Sequence, residues 1–235
     1  MEKNNLSQIP DYDLPPIKED FRHTFQWRIF RIMAEFVEGF QFVADFEKSV
    51  AIFGSSSLKK ESPDYQKAKD FGKLLAQNGF TAVTGGGPGI MEAANKGAYE
   101  EEKGKSIGIN IQLEEGERAN KYLEKSIGFY YFFTRKVMLS FASSGYVFFP
   151  GGFGTLDEFF EIVTLIQTRK MPKDVVVVAV GKDFWEPLFS WMKNDLCHKY
   201  KTIKEDNLNI FKLVDSPDEA FEIIKRDFEY KHKNQ

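Results

Sequence analysis

Thr84-Gly85-Gly86-Gly87-Pro88-Gly89-Ile90 and Pro150-Gly151-Gly152-Phe153-Gly154-Thr155 share one layout: a short apolar run, a cluster of glycines, then a helix-like pattern. Glycines let a backbone approach a ligand closely, with N–H groups unshielded by Cβ atoms. The helix start behind them adds free donors and a partial positive charge. Such turns suit the binding of an anion, above all a phosphate. Tight turning alone would account for one of them; two in one sheet favour the anion site. Charged residues border both. Glu158 follows Thr155 by three positions, the spacing of a capping box, so it either closes a helix start or faces the ligand from the first turn. Arg135 and Lys136 follow Thr134. If Thr134 caps a helix, two cations fall in its first turn, the wrong end for the helix dipole unless an anion compensates. That anion is a ligand phosphate or an acidic side chain such as Glu158, and the shared sheet end favours the ligand. Glu92 sits in the first turn behind the first glycine cluster. Asn95 and Asn120 are secondary candidates for ribose or base contacts. The aromatic run Phe129 to Phe133 either stacks a base or packs in the core.

Other chemistries fit less well. A dinucleotide fingerprint would need glycine where Ile90 or Asp157 stands. Gly104-Lys105-Ser106 resembles the end of a P-loop, but Tyr99 occupies the position of its leading glycine, and a strand rather than a helix follows. His23, His198 and His232 are scattered, and Cys197 is the single cysteine, so neither a metal spacing nor an internal disulfide arises. No metal and no cofactor are expected.

The elements that position these residues read as an alternation. Phe25, Ile29, Ile32, Phe36, Phe40 and Val43 form one helical stripe, which packs on the chain's own core or forms a subunit contact. Strands are expected over Ser49 to Gly54, Phe80 to Thr84, Ser106 to Ile111, Tyr146 to Phe149, Val175 to Val180 and Asn209 to Val214. Helices are expected over Asp64 to Asn78, Ile90 to Glu101, Thr134 to Ser143, from the second glycine turn to about Gln167, over Phe184 to about His198, and from Ser216-Pro217-Asp218-Glu219 onward. Apolar strands alternating with helices indicate an α/β fold, a Rossmann-like doubly wound parallel sheet with an N-terminal helical extension. Residues 1–47 form an arm and helix, and residues 48–235 the nucleotide-binding domain. Ligands bind such sheets at the carboxyl ends of the strands, where both glycine turns lie.

Composition narrows the classes further. A formal net charge of −3 carries none of the basic surplus of a nucleic-acid binder. No apolar run approaches the ~20 residues of a membrane span. Met1 to Asp20 has neither the basic nor the apolar region of a signal peptide. These points lead to an expectation of a cytoplasmic protein with no nucleic-acid or membrane partner. Phe occurs 24 times, enough to fill a core and still line a pocket or a subunit contact.

The pairing of Gly85-Gly86-Gly87-Pro88-Gly89-Ile90-Met91-Glu92 with Pro150-Gly151-Gly152-Phe153-Gly154-Thr155-Leu156-Asp157-Glu158 resembles the LONELY GUY (LOG) family. The second segment matches that family's P-G-G-x-G-T-x-x-E at every fixed position. Arg135-Lys136 matches its Arg-Lys pair, and Ile52-Phe53-Gly54-Ser55-Ser56 is similar to its first strand. The resemblance covers about Lys48 to Lys225. It implies a phosphoribohydrolase that cleaves a purine nucleoside 5′-monophosphate, AMP or an N6-modified cytokinin nucleotide, to free base and ribose 5-phosphate. It also implies a homodimer or larger assembly. Glu158 and Arg135 would be catalytic. Gly85, Gly86, Gly87, Gly89, Glu92, Asn120, Lys136, Gly151, Gly152, Gly154 and Thr155 would hold substrate. Residues 1–47 and Glu114 to Tyr131 exceed the compact plant-type pattern and resemble a longer bacterial branch, in which cytokinin specificity is less secure. Many such proteins carry the label lysine decarboxylase, yet no pyridoxal-phosphate lysine context is visible in the sequence. The rival expectation is a nucleotide-binding or carrier protein of the same fold without turnover.

Overall fold

Seven parallel strands form one sheet in the order β4-β3-β2-β1-β5-β6-β7. The computed structural model describes residues 24–46, 48–101, 105–112, 119–172 and 174–233. The expected arm over residues 1 to about 20 and much of the charged loop from Leu113 to Tyr122 lie outside them. The strands are β1 (Ser49–Phe53), β2 (Thr81–Thr84), β3 (Lys105–Ile111), β4 (Lys125–Phe129), β5 (Gly145–Phe148), β6 (Val176–Val180) and β7 (Phe211–Val214). The helices are α1 (Phe25–Val43), α2 (Pro63–Gln77), α3 (Ile90–Tyr99), α4 (Phe132–Phe141), α5 (Phe153–Gln167), α6 (Lys182–Trp191) and α7 (Pro217–Lys233). A π-helix over Met192–Lys199 continues α6, and a 3-10 turn over Glu205–Asn209 precedes β7.

The strand sequences show why both faces are covered. Successive side chains point to opposite faces, and in the central strands both sets are apolar. Ala51 and Phe53, Tyr146 and Phe148, and Val177 and Ala179 enter one core with residues of α4, α5 and α6. Val50 and Ile52, Val147 and Phe149, and Val178 and Val180 enter the other with residues of α2, α3 and α7. This is the doubly wound arrangement expected from the continuous apolar runs.

The chain winds outward from β1 through β2 and β3 to β4, then returns to β5 beside β1 and winds the other way. The reversal leaves a crevice at the carboxyl ends of β1 and β5, where open α/β sheets bind ligands. Their register pairs Phe53 with Phe148, so the loops that follow leave the sheet side by side.

Three expectations need correction. Lys125–Phe129 is an edge strand paired with β3, although its short, polar-flanked sequence showed no strand pattern. Helix α4 starts at Phe132 with Tyr131 as its N-cap, so Thr134 lies inside the helix and caps nothing. On α1, Ile32, Glu35, Phe36, Gly39 and Val43 face the protein, whereas Phe25, Ile29 and Phe40 of the expected stripe are exposed. Phe40 still meets Phe141 of α4 edge-on, with ring centroids 5.4 Å apart.

Candidate active site

Three loops meet at the crevice, and Ser55 ties them together. Its N–H donates to the Pro150 carbonyl at 3.0 Å, and its own carbonyl accepts from Ile90 N–H at 3.0 Å. The loop after β1 is thereby fastened to both glycine turns. A cleft of about 340 Å³ opens between them, at the small end of the ~300–1,000 Å³ range of small-molecule sites. Gly54 to Ser57, Gly85, Met91, Phe132, Arg135, Gly152 to Thr155 and Glu158 line it.

The second glycine turn supplies a helix N-terminus. Gly152 is the N-cap of α5 and makes no side-chain cap bond. The capping-box expectation is therefore corrected: Thr155 stands in the first turn, and Glu158 lies one turn further in, too far along to close the helix start. Freed from that duty, Glu158 lines the cleft. Burial pushes its carboxyl up to about 7, against the pull of Arg135 and Lys136 and with help from the like charges of Asp157 and Glu161. A carboxyl that changes charge near neutrality within a cleft is suited to proton transfer or to stabilising a developing cation.

Arg135 reaches the same cleft from α4. Its Nε donates to the Ile109 carbonyl at 2.8 Å and Nη2 to the Gly85 carbonyl at 3.5 Å, so two strand ends hold the guanidinium. Lys136 points elsewhere. Its Nζ pairs with Asp157 at 2.7 Å and Glu161 at 3.2 Å, joining α4 to α5. Burial works against this cation, but the hydrogen bonds with Asp157 and Glu161 outweigh it, and its pKa lies above the ordinary lysine value. Lys136 is thus a strut between helices and does not line the cleft.

The first glycine turn serves a different purpose. Gly85, Gly86, Gly87 and Gly89 are buried, and of the four only Gly85 lines the cleft. Gly86 has φ +73°, and a Cβ there would strike the Asn110 amide. Gly89 has φ +67°, and a Cβ there would strike the Ser55 carbonyl oxygen. Asn120 braces the turn: its N–H donates to the Gly86 carbonyl at 2.8 Å and its amide to the Gly87 carbonyl at 3.1 Å. Asn95 is fully buried and bonded to Thr84, Ser106 and Asn120, so it stiffens the same region and does not reach the cleft. Glu92 pairs with Lys60 at 2.8 Å and accepts from the Tyr65 hydroxyl at 3.4 Å, also away from the cleft. Gly151 holds the second turn against its own helix, because a Cβ there would meet the Thr155 side chain.

Of the residues expected to hold or act on a ligand, Gly85, Arg135, Gly152, Gly154, Thr155 and Glu158 meet at the cleft. Ser55, Ser56, Ser57, Met91 and Phe153 join them unforeseen. The serines carried one available signal, their place after an apolar strand, but only the strand order shows that this strand borders the crevice. Of the aromatic run, Phe129 is core, while Phe132 lines the cleft and is 52% exposed. Among the described residues no group of three His, Cys, Asp or Glu side chains is placed to hold a metal ion, and no helix is long and apolar enough to cross a membrane.

The fold is shared with proteins of known structure. The molybdenum cofactor binding protein of Rippkaea orientalis matches with a TM-score of 0.56 and 23% identity, over 76% of this chain and 94% of that one. The molybdenum cofactor carrier protein of Chlamydomonas reinhardtii matches with a TM-score of 0.57 and 19% identity, over 77% of this chain and 98% of that one. No curated protein sequence matches the chain. The profile of the family described as "possible lysine decarboxylase" covers residues 91–224, a span holding Arg135, the second glycine turn and Glu158. With more than half its length matched and this turn in place, the chain belongs to that family, the LOG family.

Proposed function

We propose that the cleft hydrolyses the N-glycosidic bond of a purine nucleoside 5′-monophosphate, AMP or an N6-modified analogue. The observation that carries this reading is Glu158: a carboxyl held up to about 7, on the wall of a cleft that opens on a helix N-terminus. The uncapped first turn of α5, with exposed Gly152 and Gly154, suits the 5′-phosphate. In the reaction the bond from the ribose anomeric carbon to the base nitrogen breaks, and the electron pair leaves with the base. Positive charge then builds on the ribose, as in glycoside hydrolysis. Ionised Glu158 stabilises that charge and takes a proton from the attacking water, whose oxygen joins the anomeric carbon. Arg135 binds the phosphate or polarises the departing base, which takes up a proton from solvent while Glu158 returns the water's proton to solvent. Gly85, Gly152, Gly154 and Thr155 border the ligand. Gly86, Gly87, Gly89, Asn120, Glu92, Lys136 and Gly151 act by holding those residues in place.

The family's decarboxylase label implies pyridoxal phosphate, which needs a lysine amine in the cleft. Among the described residues no lysine lines it, and the nearby Lys136 is committed to Asp157 and Glu161. The residues present do not fit that cofactor. A second reading, a carrier that binds a phosphorylated ligand without turnover, draws on the structural likeness to molybdenum cofactor carriers. It leaves the displaced Glu158 pKa without a use. Incubation with AMP and with its N6-isopentenyl analogue separates the two. Free base and ribose 5-phosphate are expected from at least one of them. Binding without release from any nucleoside monophosphate would favour the carrier.

The reading includes self-association and a cytoplasmic site of action. Phe25, Phe30, Met33 and Val37 are each more than half exposed on α1, which supports a homo-oligomer. A full-length chain sedimenting as a monomer would remove that part.

A further inference from the structure

Glu35 is a buried carboxylate on α1, a helix that contributes no residue to the lining of the cleft. It accepts from Tyr130 N–H at 2.8 Å, Tyr131 N–H at 3.3 Å and the Thr134 hydroxyl at 2.5 Å. These donors surround the N-terminus of α4, whose own N-cap, Tyr131, makes no side-chain cap bond. A helix start leaves orphan N–H groups and a partial positive charge, which a carboxylate satisfies well. Here that carboxylate comes from another helix. Two further contacts fix α1 on the segment from the end of β4 through α4. Arg31 lies over the Tyr130 ring at 3.9 Å. Gly39 lets the helices touch, because a Cβ there would sit 3.1 Å from the Phe129 ring and closer still to the Met138 sulfur.

What α4 carries gives this bracing a purpose. Phe132, Arg135 and Leu139 line the cleft, and Arg135 lies one turn from the end that Glu35 holds. We propose that Glu35 is a positioning residue: through the N-terminus of α4 it sets where the Arg135 guanidinium stands relative to Glu158, making α1 part of the working site. The inference rests on the hydrolase reading only in taking Arg135 and Glu158 as the acting pair. Arg135 is the strongest influence holding the Glu158 carboxyl down; Lys136 adds to it, and Asp157 and Glu161 oppose it. Displacing Arg135 therefore raises the midpoint at which Glu158 titrates.

The test follows the Glu158 carboxyl by carbon NMR in full-length protein labelled at glutamate, with Glu158→Gln assigning the signal. Glu35→Ala should raise its midpoint by about half a pH unit or more. It should also lower kcat/KM for base release about tenfold. Glu35→Gln keeps one acceptor oxygen and should shift both quantities the same way by less. A Glu158 midpoint in folded Glu35→Ala within about 0.1 unit of the parent would show that Glu35 serves stability alone and overturn the proposal. If Glu35→Ala does not fold, Glu35→Gln decides on the same criterion. The titration needs no turnover, so a parent protein that releases no base sinks the hydrolase reading while this result still stands.

Discussion

The two glycine turns look alike in sequence and are built for opposite purposes. Around Gly85 to Gly89 the protein crowds the backbone, and Gly86 and Gly89 are required by a left-handed φ and by neighbours that leave no room for a Cβ. Around Gly152 and Gly154 there is open space: a Cβ at either would meet nothing within 4 Å, and Phe153 between them is 94% exposed. The first turn's glycines are explained by the fold. Gly152 and Gly154 of the second turn are not, and an α-helical Gly154 even costs about 0.5–1 kcal/mol relative to alanine. On the proposed function, what needs the space at the second turn is the 5′-phosphate of the ligand. A glycine cluster thus becomes informative about function where the structure gives it no other reason to exist.

Substitutions can break this contrast, and the largest effects should fall beside the second turn. Glu158→Gln should lower turnover by ~10²–10³, the usual cost of losing a preorganised electrostatic group, while keeping the fold and AMP affinity. Arg135→Ala should lose a similar factor in kcat/KM; an unaltered rate in either variant removes that residue from the chemistry. Next in size is Gly89→Ala, which should cost about 2–4 kcal/mol of stability in denaturant unfolding, because it combines a left-handed φ with a clash against the Ser55 backbone. Gly154→Ala should do the reverse. It should gain up to ~1 kcal/mol of stability and weaken AMP binding about tenfold by calorimetry. Equal stability losses at both positions would erase the distinction drawn here.

A pH-dependent effect separates Glu158 from an ordinary surface carboxylate. Its folded pKa of about 7 exceeds the ordinary value of 4.5, so the folded state holds the proton more tightly. The resulting stability is fully present below the ordinary value and is lost as pH rises through about 7. Glu158→Gln, which stays neutral, should therefore be more stable than the parent by ~1–3 kcal/mol above neutrality, with the advantage vanishing near pH 4. A difference independent of pH in thermal melts would mean that Glu158 titrates normally.

Much of this was legible in the sequence because the signals were local. Continuous apolar strands such as Val176–Val180 announced a sheet covered on both faces, and Pro150 to Thr155 announced a glycine turn leading into a helix start. What stayed hidden depends on who sits beside whom. The Thr155 to Glu158 spacing suggested a capping box, but the helix begins at Phe153 and moves both residues inward. Edge strand β4 is only partly covered, so Lys125–Phe129 carries no apolar run. Glu35 interrupts an apolar helix face, the one local hint that a charge was needed inside, yet its partners lie 95 residues and more away. Ser55 to Ser57 border the cleft only because β1 adjoins β5, a matter of strand order.

The account turns on Glu158 acting, as its carboxylate, on a ligand held at the second turn. The pH profile of kcat/KM for base release from AMP, which reports ionisations of the ligand-free enzyme, tests that most directly. The rate should fall on the acid side with a midpoint near 7, set by ionisation of Glu158. That limb should be missing from the residual activity of Glu158→Gln. A flat profile in the parent, or the same acid limb persisting in Glu158→Gln, would contradict the account.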